Sequence, residues 1–130
     1  MAASRDIEKR TLEFAVRIVR LAGAMPRTGA AAVLSRQLVR AGTSVGANVE
    51  EAQHSPTKKD FAWRMNVARA EARESLYWLR LIAKSETMKP QRLAALTDEA
   101  NELVSILTTI VRRTRSKESK STNGRAHSRF

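Results

Sequence analysis

At 130 residues the chain is the size of one ordinary domain, large enough for a single hydrophobic core and too small for two. It contains no cysteine, which excludes a disulfide scaffold and thiolate zinc sites and fits a reducing compartment; its longest uncharged stretches, Ala41 to Val49 and Leu103 to Val111, fall well short of the roughly 20 residues that span a bilayer. The net charge is +11, but seven Lys/Arg against one acid follow Val111, so +6 sits in that final segment and a modest +5 on the preceding body.

The first residues, Met-Ala-Ala-Ser-Arg-Asp-Ile-Glu, lack a basic region followed by an apolar one, so a cytoplasmic protein with no membrane partner is expected. Apolar residues then recur at three and four, the helical period, with no run of alternating β-branched residues. A first helix is expected over 5–25, with Ser4 as N-cap, Asp6 and Glu8 in its first turn, and a stripe of Ile7, Thr11, Phe14, Ile18, Leu21 and Met25 that Pro26 terminates. A second, over 30–53, places Leu34, Leu38, Ala41, Val45, Val49 and Ala52 on one face. Along one edge of that face lie Gln37, Ser44, Asn48 and Glu51, a set that needs hydrogen-bond partners if two packed surfaces meet there. Along the other lie Gly42 and Gly46, where a neighbouring backbone can approach closely at some cost in helix propensity.

The pattern breaks around His54 to Lys59. Either Ser55 caps the third helix with Pro56 in its first turn, or Thr57 caps it with Asp60 three residues on; the second is preferred. This helix, over 58–85, carries Phe61, Met65, Ala68, Ala72, Leu76 and Leu79 towards a core. Trp63, Val67, Ala70, Trp78 and Leu81 fall on nearly the opposite side, where either one Trp covers the bundle rim and the other is half exposed, or the face is a subunit interface. Arg69, Arg73, Arg80 and Lys84 align within about 60° of one another, as a solvated stripe or as phosphate contacts. Pro90 opens a fourth helix over 91–114 with Leu93, Leu96, Ala100, Leu103, Leu107 and Ile110. Four amphipathic helices joined by short links predict an all-α, antiparallel up-down-up-down four-helix bundle over residues 1–115. Residues 116–130, rich in Ser, Lys, Asn, Gly and Arg without periodicity, predict a disordered basic tail.

The run Thr43-Ser44-Val45-Gly46-Ala47-Asn48-Val49-Glu50-Glu51-Ala52 resembles the Ser-Ile-Pro-Ser-Asn-Ile-Ala-Glu-Gly signature of a bacterial four-helix-bundle family. That family is also called the 23S ribosomal RNA intervening-sequence protein, or S23, family. Ser44, Asn48 and Glu51 match in identity and spacing, whereas Gly46, Ala47 and Ala52 stand where the family has Pro, Ser and Gly. Arg36-Gln37-Leu38-Val39-Arg40-Ala41 is similar to its Gln-Ile-Arg-Arg-Ala stretch, and Lys58-Lys59-Asp60-Phe61, Ala68-Arg69, Glu74 and Leu79 fall where its third helix has Lys-Lys-Glu-Phe, Ala-Arg, Glu and Leu. The likeness covers about residues 6 to 113. It implies a ring-shaped homopentamer, with Trp63, Val67, Trp78 and Leu81 at the interface and Ser44, Asn48, Glu51 and Glu74 as structural motif residues. One branch, the accessory variability proteins of diversity-generating retroelements, implies nucleic-acid binding in partnership with a reverse transcriptase.

Reactive groups do not converge in the sequence. The histidines are His54, at a helix–loop junction, and His127, in the tail; no His-x-x-x-His or Glu-x-x-His pair suits a metal, and no Gly-x-x-x-x-Gly-Lys loop suits a nucleotide. No catalytic residue, metal, cofactor or small-molecule substrate is therefore expected, and the protein is read as a non-enzyme. The expected function is weak, sequence-tolerant binding of RNA or DNA through Arg36, Arg40, Arg69, Arg73 and Arg80 on the body and Arg112, Arg113 and Arg115 at the root of the tail. The alternative is a structural or protein-interaction module whose charge serves solubility.

Overall fold

The computed structural model describes the backbone of residues 2–129 and the side chains of residues 6–117. Every element is helical: α1 (Ala2–Gly23), α2 (Gly29–Ala52), α3 (Lys58–Lys84), a 3-10 turn (Pro90–Arg92) and α4 (Ala94–Arg129). Facing residues run in opposite numerical directions across each seam. Thr11 and Ile18 of α1 meet Gly46 and Gly42 of α2, and Arg40 and Asn48 of α2 meet Glu74 and Arg64 of α3. The helices are thus antiparallel in sequence, as the up-down-up-down reading requires. α3 packs extensively on both α2 and α4, and α1 chiefly on α2; α1 touches α4 over a smaller area, where Arg10 donates to Glu99 and Glu102.

All six residues of the α1 stripe are buried, Thr11 included. Its hydroxyl donates to the carbonyls of Ile7 (2.8 Å) and Glu8 (3.1 Å), which satisfies it within its own helix. Gly42 and Gly46 serve the α1/α2 seam. A Cβ on Gly42 would stand 2.8 Å from Cγ1 of the fully buried Ile18, and one on Gly46 would stand 3.2 Å from the backbone carbonyl oxygen of Thr11. Side chains there would hold the two helices apart.

On α3 the buried arc is Ala62, Met65, Ala68, Ala72, Ser75, Leu79 and Ile82; Phe61 and Leu76, expected inside, are only partly buried against the core. The shift follows from α3 having helices on both sides. Met65, Leu79 and Ile82 fill the centre of that arc together with small residues, while Phe61 and Leu76 pack at its margins.

The helix ends refine the expected boundaries. α1 is already helical at Ala2, so Ser4 lies inside the helix and does not cap it. Thr57 does cap α3: its Oγ1 accepts from the Asp60 backbone N–H at 3.0 Å. α3 ends with Glu86 at φ 58°, while the Glu86 N–H donates to Ala83 O (3.1 Å) and the Thr87 N–H to Ile82 O (3.2 Å), a Schellman closure without glycine. Pro90 opens the 3-10 turn, closed by Arg92 N–H to Lys89 O and Leu93 N–H to Pro90 O, so the α-helix starts at Ala94 and not at 91. Ser116 and Lys117 continue α4 and are exposed; beyond Lys117 the expected disordered tail lies outside the residues whose side chains are described. Among the described residues no helix is long and apolar enough to cross a membrane.

Candidate nucleic-acid interface

The clearest functional geometry lies along the α3/α4 seam. Asn66, Arg69 and Arg73 recur at three and four on α3, and Thr108, Val111, Arg112 and Arg115 do so on α4, so each set lines one edge of its helix. Antiparallel packing lays the two edges together around an open cleft of about 400 Å³. The half-buried Arg69 is aimed by its neighbour, its Nε donating to Asn66 Oδ1 at 2.8 Å. The Thr108 hydroxyl donates back to Val104 O. Four guanidinium groups therefore share a lining with no carboxylate, imidazole or thiol, and none forms an ion pair among the described residues. Such an array attracts anions.

The other expected contacts are distributed differently. Arg80 is exposed further along the same seam, in a hollow of about 490 Å³ that it shares with Lys84 and Asp98. Arg113 is exposed but does not line the cleft, and Arg36 is exposed on α2 without an ion pair among the described residues. Arg40 is not free. It bridges to Glu74, to Glu71 at 3.4 Å, and donates through Nε to Gln37 Oε1 at 3.2 Å. Hydrogen bonding to Glu74 above all raises the Arg40 guanidinium further above its ordinary range. The Glu71 carboxyl is pushed up, chiefly by burial and then by the charge of Glu74, against the pull of Arg40.

The motif residues of α2 serve the same α2/α3 seam. The Ser44 hydroxyl donates to Arg40 O (2.6 Å), Asn48 Nδ2 donates to Ser44 O (2.8 Å), and Arg64 Nη1 donates to Asn48 Oδ1 (3.2 Å). Glu51 does not join them. It is exposed in the last turn of α2, beside His54, Asp60 and Arg64, and its carboxylate makes no hydrogen bond or ion pair among the described residues.

The four apolar positions on the outer side of α3 also divide. Trp63 is 56% exposed, with the Arg64 guanidinium carbon 4.8 Å from its ring centre. Val67, Trp78 and Leu81 are half-buried, and Trp78 packs against the core, its buried Nε1 finding no acceptor among the described residues. Sequence reasoning did not single out Asn66 and Thr108, which complete the cleft, or Tyr77, 57% exposed and edge-on to Trp78. It also passed over Leu12, Val16 and Val19, an exposed apolar stripe on α1 whose spacing of four and three was visible. Among the described residues no group of three or more His, Cys, Asp or Glu could hold a metal ion.

The model of the 23S rRNA-intervening sequence protein family matches residues 4–109. The chain belongs to that family. It is similar to a crystal structure of a protein of unknown function from the S23 ribosomal protein family of Bacteroides thetaiotaomicron, with 32% identity over 85% of this chain and 98% of that one, at a TM-score of 0.77. No curated protein sequence matches the chain. The solved relative shares the fold and, itself of unknown function, brings no activity with it.

Proposed function

We propose that this family member is a non-catalytic, homo-oligomeric cytoplasmic protein that binds RNA or DNA through its basic surfaces. The observation that carries this reading is the cleft of Arg69, Arg73, Arg112 and Arg115, whose positive charge meets no carboxylate in its lining. Phosphate oxygens suit planar guanidinium donors, and no group in the cleft offers a base-reading code. A five-membered assembly, as the family resemblance implies, would repeat the cleft around a ring. The exposed Trp63, Leu12, Val16 and Val19 supply apolar area for such association. Partnership with a reverse transcriptase is the finer form of the same reading.

Anisotropy titrations of a labelled oligonucleotide at increasing salt test the proposal. Log affinity should fall linearly with log salt, with a slope of roughly −0.9 for each phosphate contact, whatever the sequence offered. Absence of binding at ~50 mM salt, where phosphate contacts are strong, would hand the function to the interaction-module alternative. For the assembly, sedimentation should report an oligomer at micromolar concentration; a stable monomer would remove that part.

A further inference from the structure

Outside the lining of the α3/α4 cleft, on the same helix, stands a side chain that phosphate contact alone does not use. Tyr77 stands one helical turn beyond Arg73 and three residues before Arg80, so it borders the arginine edge of α3. The residue is 57% exposed, a large side chain to leave in water. Nor is it loose: it meets Trp78 edge-on, ring centres 5.1 Å apart at 76°, and Trp78 is itself packed against the core. A braced aromatic face beside arginines that form no ion pair among the described residues has the composition of a stacking platform next to a phosphate track.

We propose that the cleft and Tyr77 form one site for single-stranded nucleic acid, with phosphates on Arg69, Arg73, Arg112 and Arg115 and an unpaired base stacked on the Tyr77 ring. This rests on the nucleic-acid function proposed above and narrows it to a strand state. A duplex keeps its base faces inside its own stack and can offer the platform nothing, whereas every unpaired base has a free π-face. The site addresses phosphate and base face only, so RNA and DNA strands bind it alike, without sequence preference beyond stacking strength.

The test uses the full chain with four 20-nucleotide probes: oligo-dT, oligo-rU, a DNA duplex, and an abasic phosphodiester chain. Wild-type protein should bind both single strands more tightly than the duplex. Tyr77→Ala should weaken single-strand binding by about tenfold, the size of one base–aromatic stack, and Tyr77→Trp should restore it. On the duplex and the abasic chain, Tyr77→Ala should have no effect. The abasic arm removes the base and keeps the protein intact, so a loss confined to the base-bearing strands cannot come from a perturbed fold, and melting curves confirm that Tyr77→Ala is folded before the arms are compared. If Tyr77→Ala binds oligo-dT as tightly as wild type, or is weakened as much on the abasic chain, the stacking site is wrong and general nucleic-acid binding survives. If wild-type protein binds none of the four, the proposed function falls with it.

Discussion

Helix α3 carries charge on both flanks, and the two flanks are finished differently. Towards α2, Glu71 and Glu74 meet Arg40, and Arg64 meets Asn48, so most charges and dipoles find a partner within the chain. Towards α4, Arg69, Arg73, Arg112 and Arg115 face one another with no carboxylate in the cleft they line. Neutral pairing is what a packed seam needs to hold its register. Four like charges along a seam oppose packing instead, and an anion from outside would relieve them. One helix thus separates a seam that serves the fold from one that is available to a ligand.

Neutralising each flank in turn breaks this comparison most directly. Arg69→Gln with Arg73→Gln should flatten the salt dependence of nucleic-acid binding by up to about 2 units of slope, roughly one for each phosphate that no longer meets a guanidinium, and weaken low-salt affinity at least about tenfold. Because it relieves repulsion, the pair should leave the melting temperature unchanged or slightly raised. Arg40→Gln should do the reverse, leaving the slope intact and costing about 0.5 kcal/mol of stability, the size of an exposed ion pair. Equal slopes for the two variants would end the distinction between the flanks.

The α1/α2 seam, closed by glycine, sets the scale for what holds the bundle together. Gly42→Ala would drive a methyl into Ile18, a buried β-branched side chain with no room to turn. Even after the gain in helix propensity, a net loss of about 1–2 kcal/mol is expected from chemical denaturation. Gly46→Ala pushes on the α1 backbone and should cost a similar amount. On the α2/α3 flank, Asn48→Ala should cost about 1 kcal/mol, because it leaves Arg64 without its acceptor. A loss from Asn48→Ala that exceeded both glycine variants would show the polar seam to be the stronger one.

Much of this was legible in the sequence. The whole α1 stripe is buried as its spacing required, because α1 has one principal neighbour and a single face to fill. The Thr57 cap was legible from Asp60 three residues on. On α3 a single period was a poorer guide: a helix flanked on both sides buries a wider arc, and Ser75 and Ile82 belong to it where Leu76 does not. Glu86 left no trace at all. Its left-handed backbone is imposed by the closure of α3, and no glycine marks the place. For the same reason Glu86→Gly should stabilise the fold by up to about 1 kcal/mol, since glycine adopts that conformation without strain. The cleft was half legible. The shared face of Arg69 and Arg73 follows from their spacing, but only antiparallel packing at the observed register brings Arg112 and Arg115 opposite them and leaves Arg113 outside.

The finest test of the paired flank is its pH dependence. Glu71 is largely buried, with 23% of its side chain exposed, between Arg40 at 3.4 Å and the like charge of Glu74. Burial, then Glu74, lifts its carboxyl above the ordinary carboxylate range, and Arg40 only partly opposes this. A carboxyl raised on folding binds its proton more tightly in the folded chain than in the unfolded one. Stability therefore falls as pH rises from the unfolded value through the folded one, and above that window the ionised group imposes a constant penalty. Glu71→Gln removes the penalty and leaves Arg40 its shorter contact, with Glu74. The variant should be more stable than wild type near neutral pH, with the difference shrinking as the pH is lowered below the ordinary carboxylate range, where the carboxyl is protonated in folded and unfolded chains alike. Paired thermal melts at neutral and acid pH read this directly. A variant less stable than wild type at neutral pH, and equal to it in acid, would mean that Arg40 holds Glu71 more strongly than burial repels it, and that the α2 flank is tied by both carboxylates rather than by Glu74 alone.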